Sequence, residues 1–67
     1  MIELTVNGAA RKLPEATSVA QLLEQLGLAG KRLAVERNGQ IVPRGLHVET
    51  RLTSGDQIEI VVAVGGG

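Results

Sequence analysis

The sequence of 67 residues has no cysteine, no Phe, Tyr or Trp, and a single histidine. Without cysteine there is no disulfide framework, no thiol nucleophile and no thiolate metal site. One histidine excludes a multi-histidine metal cluster, and the lack of aromatic rings excludes stacking on nucleobases. Seven basic and seven acidic side chains balance, so the chain lacks the positive excess typical of nucleic-acid-binding proteins.

Long hydrophobic runs are also absent. No segment approaches the roughly 18 apolar residues of a membrane span, and residues 1–5 have neither the basic start nor the apolar run of a signal peptide. The length allows one small domain, which buries only about 60% of the surface that its unfolded chain exposes. We therefore expect a cytoplasmic domain with an aliphatic core. Glycine is the unusual feature, since three of the nine glycines are the last three residues.

Alternating apolar residues predict β-strands in five segments. These segments are residues 1–6, 9–13, 33–37, 40–43 and 57–64. An Asn-Gly pair follows the first and the third segment and predicts two tight hairpins, because Asn and Gly both tolerate positive φ. Pro43 lacks an N–H and places its segment at a sheet edge. The last segment is the most apolar and suits a central strand.

One helix is predicted over residues 18–27 by apolar side chains at the spacing i, i+3, i+4 and i+7, which are Val19, Leu22, Leu23 and Leu26. Thr17 or Ser18 is the expected N-cap, and Gln21 stands three residues after Ser18 as in a capping box. Gly27 or Gly30 is expected to end the helix in the left-handed conformation. A helix this short is unstable alone in water, so it must pack on a sheet.

The order of elements is hairpin, helix, hairpin and final strand. The long connection between the first and last strands permits them to pair in parallel in the middle of the sheet. We interpret this pattern as an α+β domain of the β-grasp type, in which a mixed sheet of about five strands packs on one helix. A split β-α-β domain is the alternative.

The glycines Gly65, Gly66 and Gly67 have no side chains to pack, so we expect residues 65–67 to form a flexible tail beyond a domain of residues 1–64. A frayed end is the simplest interpretation of such a run. However, backbone without Cβ atoms can thread a narrow channel, and three extended residues reach about 10 Å. That reach carries the terminal carboxylate into another protein's active site. A carboxylate is a poor electrophile and must be activated, usually with ATP, before sulfur or an amine can attack it.

Several motifs in the second half of the chain are specific in combination. They are Ala34-Val35-Glu36-Arg37-Asn38-Gly39, Ile41-Val42-Pro43-Arg44, Leu52 with Gly55-Asp56-Gln57-Ile58-Glu59-Ile60, and the closing Gly66-Gly67. With these motifs the whole chain resembles the ubiquitin-like sulfur carriers, and most closely the ThiS family of thiamine biosynthesis. One departure is Gly45-Leu46-His47, where relatives often have an aromatic residue.

The resemblance implies a carrier and co-substrate rather than an enzyme. A ThiF-like adenylyltransferase would activate Gly67 with ATP and Mg²⁺, while this chain itself would hold no cofactor and no metal. A cysteine desulfurase or rhodanese-like protein would supply the sulfur of a thiocarboxylate at Gly67, and a ThiG-like thiazole synthase would accept it. Gly65 and Gly66 would thread into the partners' active sites. The free carrier is expected to be a monomer.

Other functions are compatible with the same residues. A related carrier can serve molybdopterin or another sulfur-containing product, and a ubiquitin-like modifier forms isopeptide bonds with lysines. A binding module with an inert tail is a further alternative.

A docking surface is expected beside the tail. If Ile60 and Val62 face the helix, then Val61 and Ala63 face away from it and form an apolar patch of the kind that often marks a partner surface. Arg44 is a candidate for contact with acidic partner residues, although a solvated arginine is its simpler interpretation.

The remaining polar residues are expected to be structural or solvated. His47 has no nearby Cys, Asp or second His, so we predict a surface or loop residue without a catalytic role. Asp56 is predicted to stabilise its turn through its side chain. Arg37 is, like Arg44, a candidate for contact with acidic partner residues, and a solvated side chain is the simpler prediction.

Overall fold

The computed structural model describes residues 1–63, so the predicted tail glycines Gly65, Gly66 and Gly67 lie outside the described residues. The strands are β1 (Ile2–Val6), β2 (Ala9–Leu13), β3 (Leu33–Arg37), β4 (Gln40–Val42) and β5 (Gln57–Val62), with helix α1 (Val19–Gln25) and a 3₁₀ helix (Arg44–Leu46).

The five strands form one mixed sheet in the order β2-β1-β5-β3-β4. The central strand β5 pairs in parallel with β1 and antiparallel with β3. Each remaining pair is an antiparallel hairpin. The β-grasp prediction is therefore confirmed, including the central last strand, and β4 lies at an edge as Pro43 indicated.

Both Asn-Gly pairs form the predicted turns. Asn7 and Gly8 have φ of 51° and 83°, and Asn38 and Gly39 have φ of 53° and 84°. A type I′ turn needs positive φ at both central residues, because only then does the turn follow the twist of the two strands.

Helix α1 begins where the capping box places it. Ser18 Oγ accepts a hydrogen bond from the Gln21 N–H at 3.1 Å, and the Ser18 N–H donates to Gln21 Oε1 at 2.9 Å. The helix is shorter than the predicted 18–27, because its backbone already leaves the helical path at Gly27, with φ of 73°. The Leu28 N–H then donates to the Leu23 carbonyl at 2.8 Å, the bond of a Schellman motif.

The core lies between α1 and one face of the sheet. Its buried members are Leu4, Val6, Leu13, Val19, Leu22, Leu23, Val35, Val42, Leu52, Ile58 and Ile60. Leu52 is buried as predicted, although it belongs to no helix or strand. All of these side chains are aliphatic, and alternate residues of the strands supply the sheet side of the core. The other face of the sheet has no helix over it in the part of the chain that the structure describes.

Candidate functional site

The uncovered sheet face carries apolar and acidic side chains around the end of β5. Ala34 pairs with Val61 in the sheet register, and Glu36 pairs with both Glu59 and Ile41. Because side chains alternate along a strand, these five residues point away from the helix. Val61 is 65% exposed and Ile41 is 61% exposed. We call these five residues the open-face patch.

The residues expected to dock a partner are placed as follows. Val61 lies within the open-face patch, and Ala63 is exposed at the end of the described chain, where its N–H donates to the Arg32 carbonyl at 2.9 Å. By alternation Val62 lies on the helix side of β5, as expected, but it is 39% exposed. It pairs with Leu33, which is itself only half-buried, so the core no longer covers β5 at this point.

Arg44 lies apart from these residues. It is exposed in the 3₁₀ helix after β4, and it lines a groove together with Ala20, Leu23 and Glu24 of α1. This groove is on the helix side of the sheet. The structure therefore does not bring Arg44 into one surface with Val61.

His47 lies in the loop after the 3₁₀ helix, as predicted, but its expected position at the surface is wrong. Its side chain is buried, and Nε2 lies 3.1 Å from the Val42 carbonyl oxygen. Since a carbonyl only accepts, Nε2 carries the proton of this hydrogen bond. The His47 carbonyl accepts from the Ala20 N–H at 2.9 Å and so ties the loop to the first turn of α1. Nothing in the irregular sequence around residue 47 indicated this inward turn.

The carboxylate of Asp56 joins its own turn to the end of β3 and to the turn between β3 and β4. It accepts hydrogen bonds from Arg37 Nε at 2.8 Å, Asn38 Nδ2 at 3.1 Å and the Thr53 N–H at 2.8 Å. Arg37 is therefore ion-paired, and the prediction that it is solvated is wrong. Burial raises the pKa of Asp56, but the hydrogen bonds from Thr53, Arg37 and Asn38 and the charge of Arg37 together bring the pKa below the ordinary aspartate value.

The turn asparagines also hold the central strand through their side chains. Asn7 Nδ2 donates to the Ile60 carbonyl at 3.2 Å, and the Ile60 N–H donates to Asn7 Oδ1 at 2.7 Å. At the other end of β5, the Gln57 N–H donates to Asn38 Oδ1 at 2.8 Å. These contacts were not predicted, because the sequence indicated only the turns in which the two asparagines stand.

The open-face patch contains a like-charge pair. Glu36 and Glu59 stand directly opposite each other on β3 and β5. Within residues 1–63 neither carboxylate is ion-paired, since the salt bridges there are Met1–Glu15 and Arg37–Asp56. Directly opposed like charges destabilise a sheet.

Replacing Glu59 with Gln is therefore expected to raise the free energy of unfolding by about 0.2–1 kcal/mol. Urea denaturation at low salt measures the change, and 1 M salt should remove it by screening. Glu36→Gln should act alike, and the double variant should gain little beyond either single one. Glu49→Gln, at an exposed loop position, is the control. Additive gains from Glu36→Gln and Glu59→Gln would contradict the pairing.

Two further observations concern the described part of the chain. Among residues 1–63 no three His, Asp or Glu side chains are placed to hold a metal ion. No helix in this range has the length and apolar character needed to cross a membrane.

The mixed sheet on a single helix, with an uncovered face beside the end of the central strand, defines a ubiquitin-like β-grasp protein. The sequence model of the ThiS family matches residues 3–67. The chain belongs to the ThiS family.

Solved structures agree with this assignment. The crystal structure of the thiamine biosynthesis protein ThiS from Geobacter metallireducens is 33% identical and superimposes with a TM-score of 0.83, covering 98% of this chain and all of that one. The solution structure of a thiamine biosynthesis protein from the same organism gives a TM-score of 0.80 at 33% identity, covering 98% of this chain and 88% of that one.

Curated relatives are of two lengths. A thiazole synthase of Paramagnetospirillum magneticum is 38% identical over 66 residues, which are 98% of this chain but only 20% of that protein. A thiazole synthase of Magnetococcus marinus matches with the same identity and coverage, so the chain spans about a fifth of the length of both. The uncharacterized protein ycf40 of Porphyra purpurea is 33% identical over 66 residues, 98% of this chain and 93% of that protein.

Proposed function

We propose that this chain carries sulfur for thiazole formation in thiamine biosynthesis as a thiocarboxylate on Gly67. The observation that carries the proposal is the match to the ThiS family, which extends through the glycines to residue 67. The composition supports the location of the sulfur, because a chain without cysteine cannot hold it as a side-chain persulfide.

The proposed chemistry begins with activation of the carboxylate. A carboxylate oxygen of Gly67 attacks the α-phosphorus of ATP and pyrophosphate leaves, which gives an acyl-adenylate. The outer sulfur of an enzyme persulfide then attacks the acyl carbon and AMP leaves, which gives an acyl disulfide. A second thiol of the sulfur-donating system cleaves this S–S bond, so that the two thiols are left as a disulfide and the thiocarboxylate is released. A ThiF-like adenylyltransferase provides the ATP and Mg²⁺ site, and a cysteine desulfurase or rhodanese-like protein provides the sulfur. Gly65 and Gly66 form the thin segment that enters the partner's active site.

A ThiG-like thiazole synthase is the proposed acceptor of the sulfur. In the relatives from Paramagnetospirillum magneticum and Magnetococcus marinus, a segment similar to this chain occupies a fifth of a protein named thiazole synthase. Joining two partners in one polypeptide raises their effective concentration for each other. The separate chain is proposed to meet the same enzyme by diffusion.

Docking is proposed through the open-face patch and Ala63. Exposed apolar side chains beside carboxylates fit a partner surface in which apolar groups surround a lysine or arginine, since interfaces match charge as well as shape. Arg44, on the helix side, is proposed as a separate contact to an acidic partner group.

Pyrophosphate exchange tests the activation step. With the ThiF-like adenylyltransferase of the same organism, ATP and labelled pyrophosphate, exchange into ATP should depend on this chain. Exchange that is equal with and without the chain would contradict the proposal. The product is tested separately in a strain that lacks its own thiamine sulfur carrier. Restored growth without thiamine is expected, and rescue only of a strain deficient in molybdopterin would favour the related carrier function.

A further inference from the structure

The side chain of Asn7 takes the place of a strand residue beside the end of β5. The backbone of β1 stops pairing here: the Asn7 N–H still donates to the Ile58 carbonyl at 2.8 Å, and the chain then turns at Gly8 into β2. The Asn7 amide continues the ladder for one more step, because it binds both backbone groups of Ile60 at 3.2 Å and 2.7 Å. A primary amide can do this, since it offers a donor and an acceptor like a peptide group.

Beyond Ile60, within residues 1–63, strand β5 is hydrogen-bonded on its β3 side but not on its β1 side. Within residues 1–63, the last hydrogen bonds that β5 makes on its β1 side are those from Asn7. On the other side β3 still pairs with Val61 and Val62, and the Ala63 N–H still reaches the Arg32 carbonyl. In the part of the chain that the structure describes, the Asn7 contact is therefore the last restraint on the β1 side of β5.

We propose that Asn7 is a positioning residue for the carboxyl-terminal segment. By fixing Ile60 from the β1 side, it limits the directions in which Val61 to Ala63 extend beyond the core, so that less conformational entropy is lost when the adenylyltransferase binds this part of the chain. A partly restrained segment binds more tightly, because less ordering has to be supplied by the contact itself. This inference rests on the proposed function, since it concerns the same carboxylate.

The second hairpin offers a matched control. Asn38 has the same conformation as Asn7 and is also followed by a glycine with positive φ. Its Oδ1 accepts from the Gln57 N–H at 2.8 Å and its Nδ2 donates to Asp56 Oδ1 at 3.1 Å. Asn38 thus holds the beginning of β5, at the opposite end from the exit toward Gly67.

The test compares Asn7→Gly with Asn38→Gly, since glycine keeps each turn and removes only the side chain. Amide hydrogen exchange in the free protein should become faster at Ile60 in the first variant and at Gln57 in the second. Steady-state adenylation by the ThiF-like enzyme should show KM raised about tenfold by Asn7→Gly with kcat unchanged, the effect of having to re-order about one residue. Asn38→Gly should change KM by less than about twofold, as expected for a residue remote from the bound segment.

Asn7→Asp provides a second variant with the turn conformation retained. It keeps the acceptor for the Ile60 N–H but replaces the donor to the Ile60 carbonyl with a carboxylate oxygen, and the two oxygens repel each other. Its KM should therefore rise at least as much as that of Asn7→Gly. Equal KM values for Asn7→Gly and Asn38→Gly, with a reactive parent chain, would overturn the positioning role alone. A parent chain that is not adenylated at all would overturn the proposed function and this inference with it.

Discussion

Deleting Gly67 is expected to abolish adenylation while leaving the stability of the domain unchanged. The core of the described residues 1–63 runs from Leu4 to Ile60, and a glycine has no side chain to add to it. The deletion moves the carboxylate back by one residue, about 3.3–3.6 Å of extended chain. An active site that must place the attacking oxygen against the α-phosphorus of ATP does not tolerate a shift of that size. Pyrophosphate exchange and urea denaturation measure the two quantities.

An added glycine after Gly67 is the complementary variant. It keeps a terminal carboxylate and the composition of the tail, but it moves the carboxylate forward by the same length. Adenylation should again be lost, with the urea midpoint unchanged. Full adenylation of both the shortened and the lengthened chain would contradict the assignment of the reaction to Gly67.

The second large effect is expected at Asp56. Replacing Asp56 with Asn removes the charge that pairs with Arg37. It also turns the N–H groups of the new amide toward N–H groups that donate hydrogen bonds to the carboxylate in the parent protein. We expect the free energy of unfolding to fall by about 2–3 kcal/mol, because buried donors to a charged acceptor lose their partner. Domains of this size rarely have more than about 3–5 kcal/mol in total. The melting temperature of Asp56→Asn, measured by circular dichroism, should therefore fall so far that much of the variant is unfolded at moderate temperature.

The exposed ion pair between the Met1 ammonium and Glu15 supplies the control. Its nitrogen–oxygen distance is 3.3 Å and both side chains are largely exposed. Glu15→Gln should change stability by no more than about 0.5 kcal/mol. A similar loss from Glu15→Gln and Asp56→Asn would show that the Asp56 contacts contribute no more than a surface pair.

The lowered pKa of Asp56 also gives a pH dependence. Because the folded pKa lies below the unfolded one, the carboxylate stabilises the fold fully above the unfolded value of about 4. This contribution is lost as the pH falls through the lower, folded pKa. Urea midpoints measured between neutral and acidic pH should drop below about pH 4 in the parent chain. In Asp56→Asn the urea midpoint should fall less between neutral and acidic pH, because the contribution of the Asp56 carboxylate is already absent.

Local signals in the sequence predicted most of the fold. The Asn-Gly pairs required positive φ, and the capping box at Ser18 and Gln21 began the helix where predicted. The helix was predicted slightly too long, because apolar spacing continues through Leu26 although the Schellman turn has already begun. The buried or exposed state of most strand residues followed from alternation alone.

Contacts between distant parts of the chain were not predicted. The ion pair of Arg37 with Asp56 and the hydrogen bonds of Asn7 with Ile60 join residues that only the folded sheet brings together. Burial of His47 depends on the path of an irregular loop, which has no periodicity to indicate it. Exposure of Val62 depends on where the core ends rather than on strand alternation.

The candidate site likewise has a part that the sequence predicted and a part that only the structure revealed. Its proposed reactive end, Gly65 to Gly67, was predicted from composition and family resemblance and lies outside the described residues. Val61 was expected on the uncovered face and lies there, whereas the acidic pair of Glu36 and Glu59 became visible only with the strand register.

The central claim is that sulfur is carried at the carboxyl group of Gly67, and the intact mass of the protein tests it most directly. The chain is purified from thiamine-starved cells that contain its partners and is measured by mass spectrometry with fragmentation. We predict a gain equal to the exchange of one oxygen for one sulfur atom, located on the last residue. Only unmodified chain under these conditions, or the same gain located elsewhere, would contradict the claim.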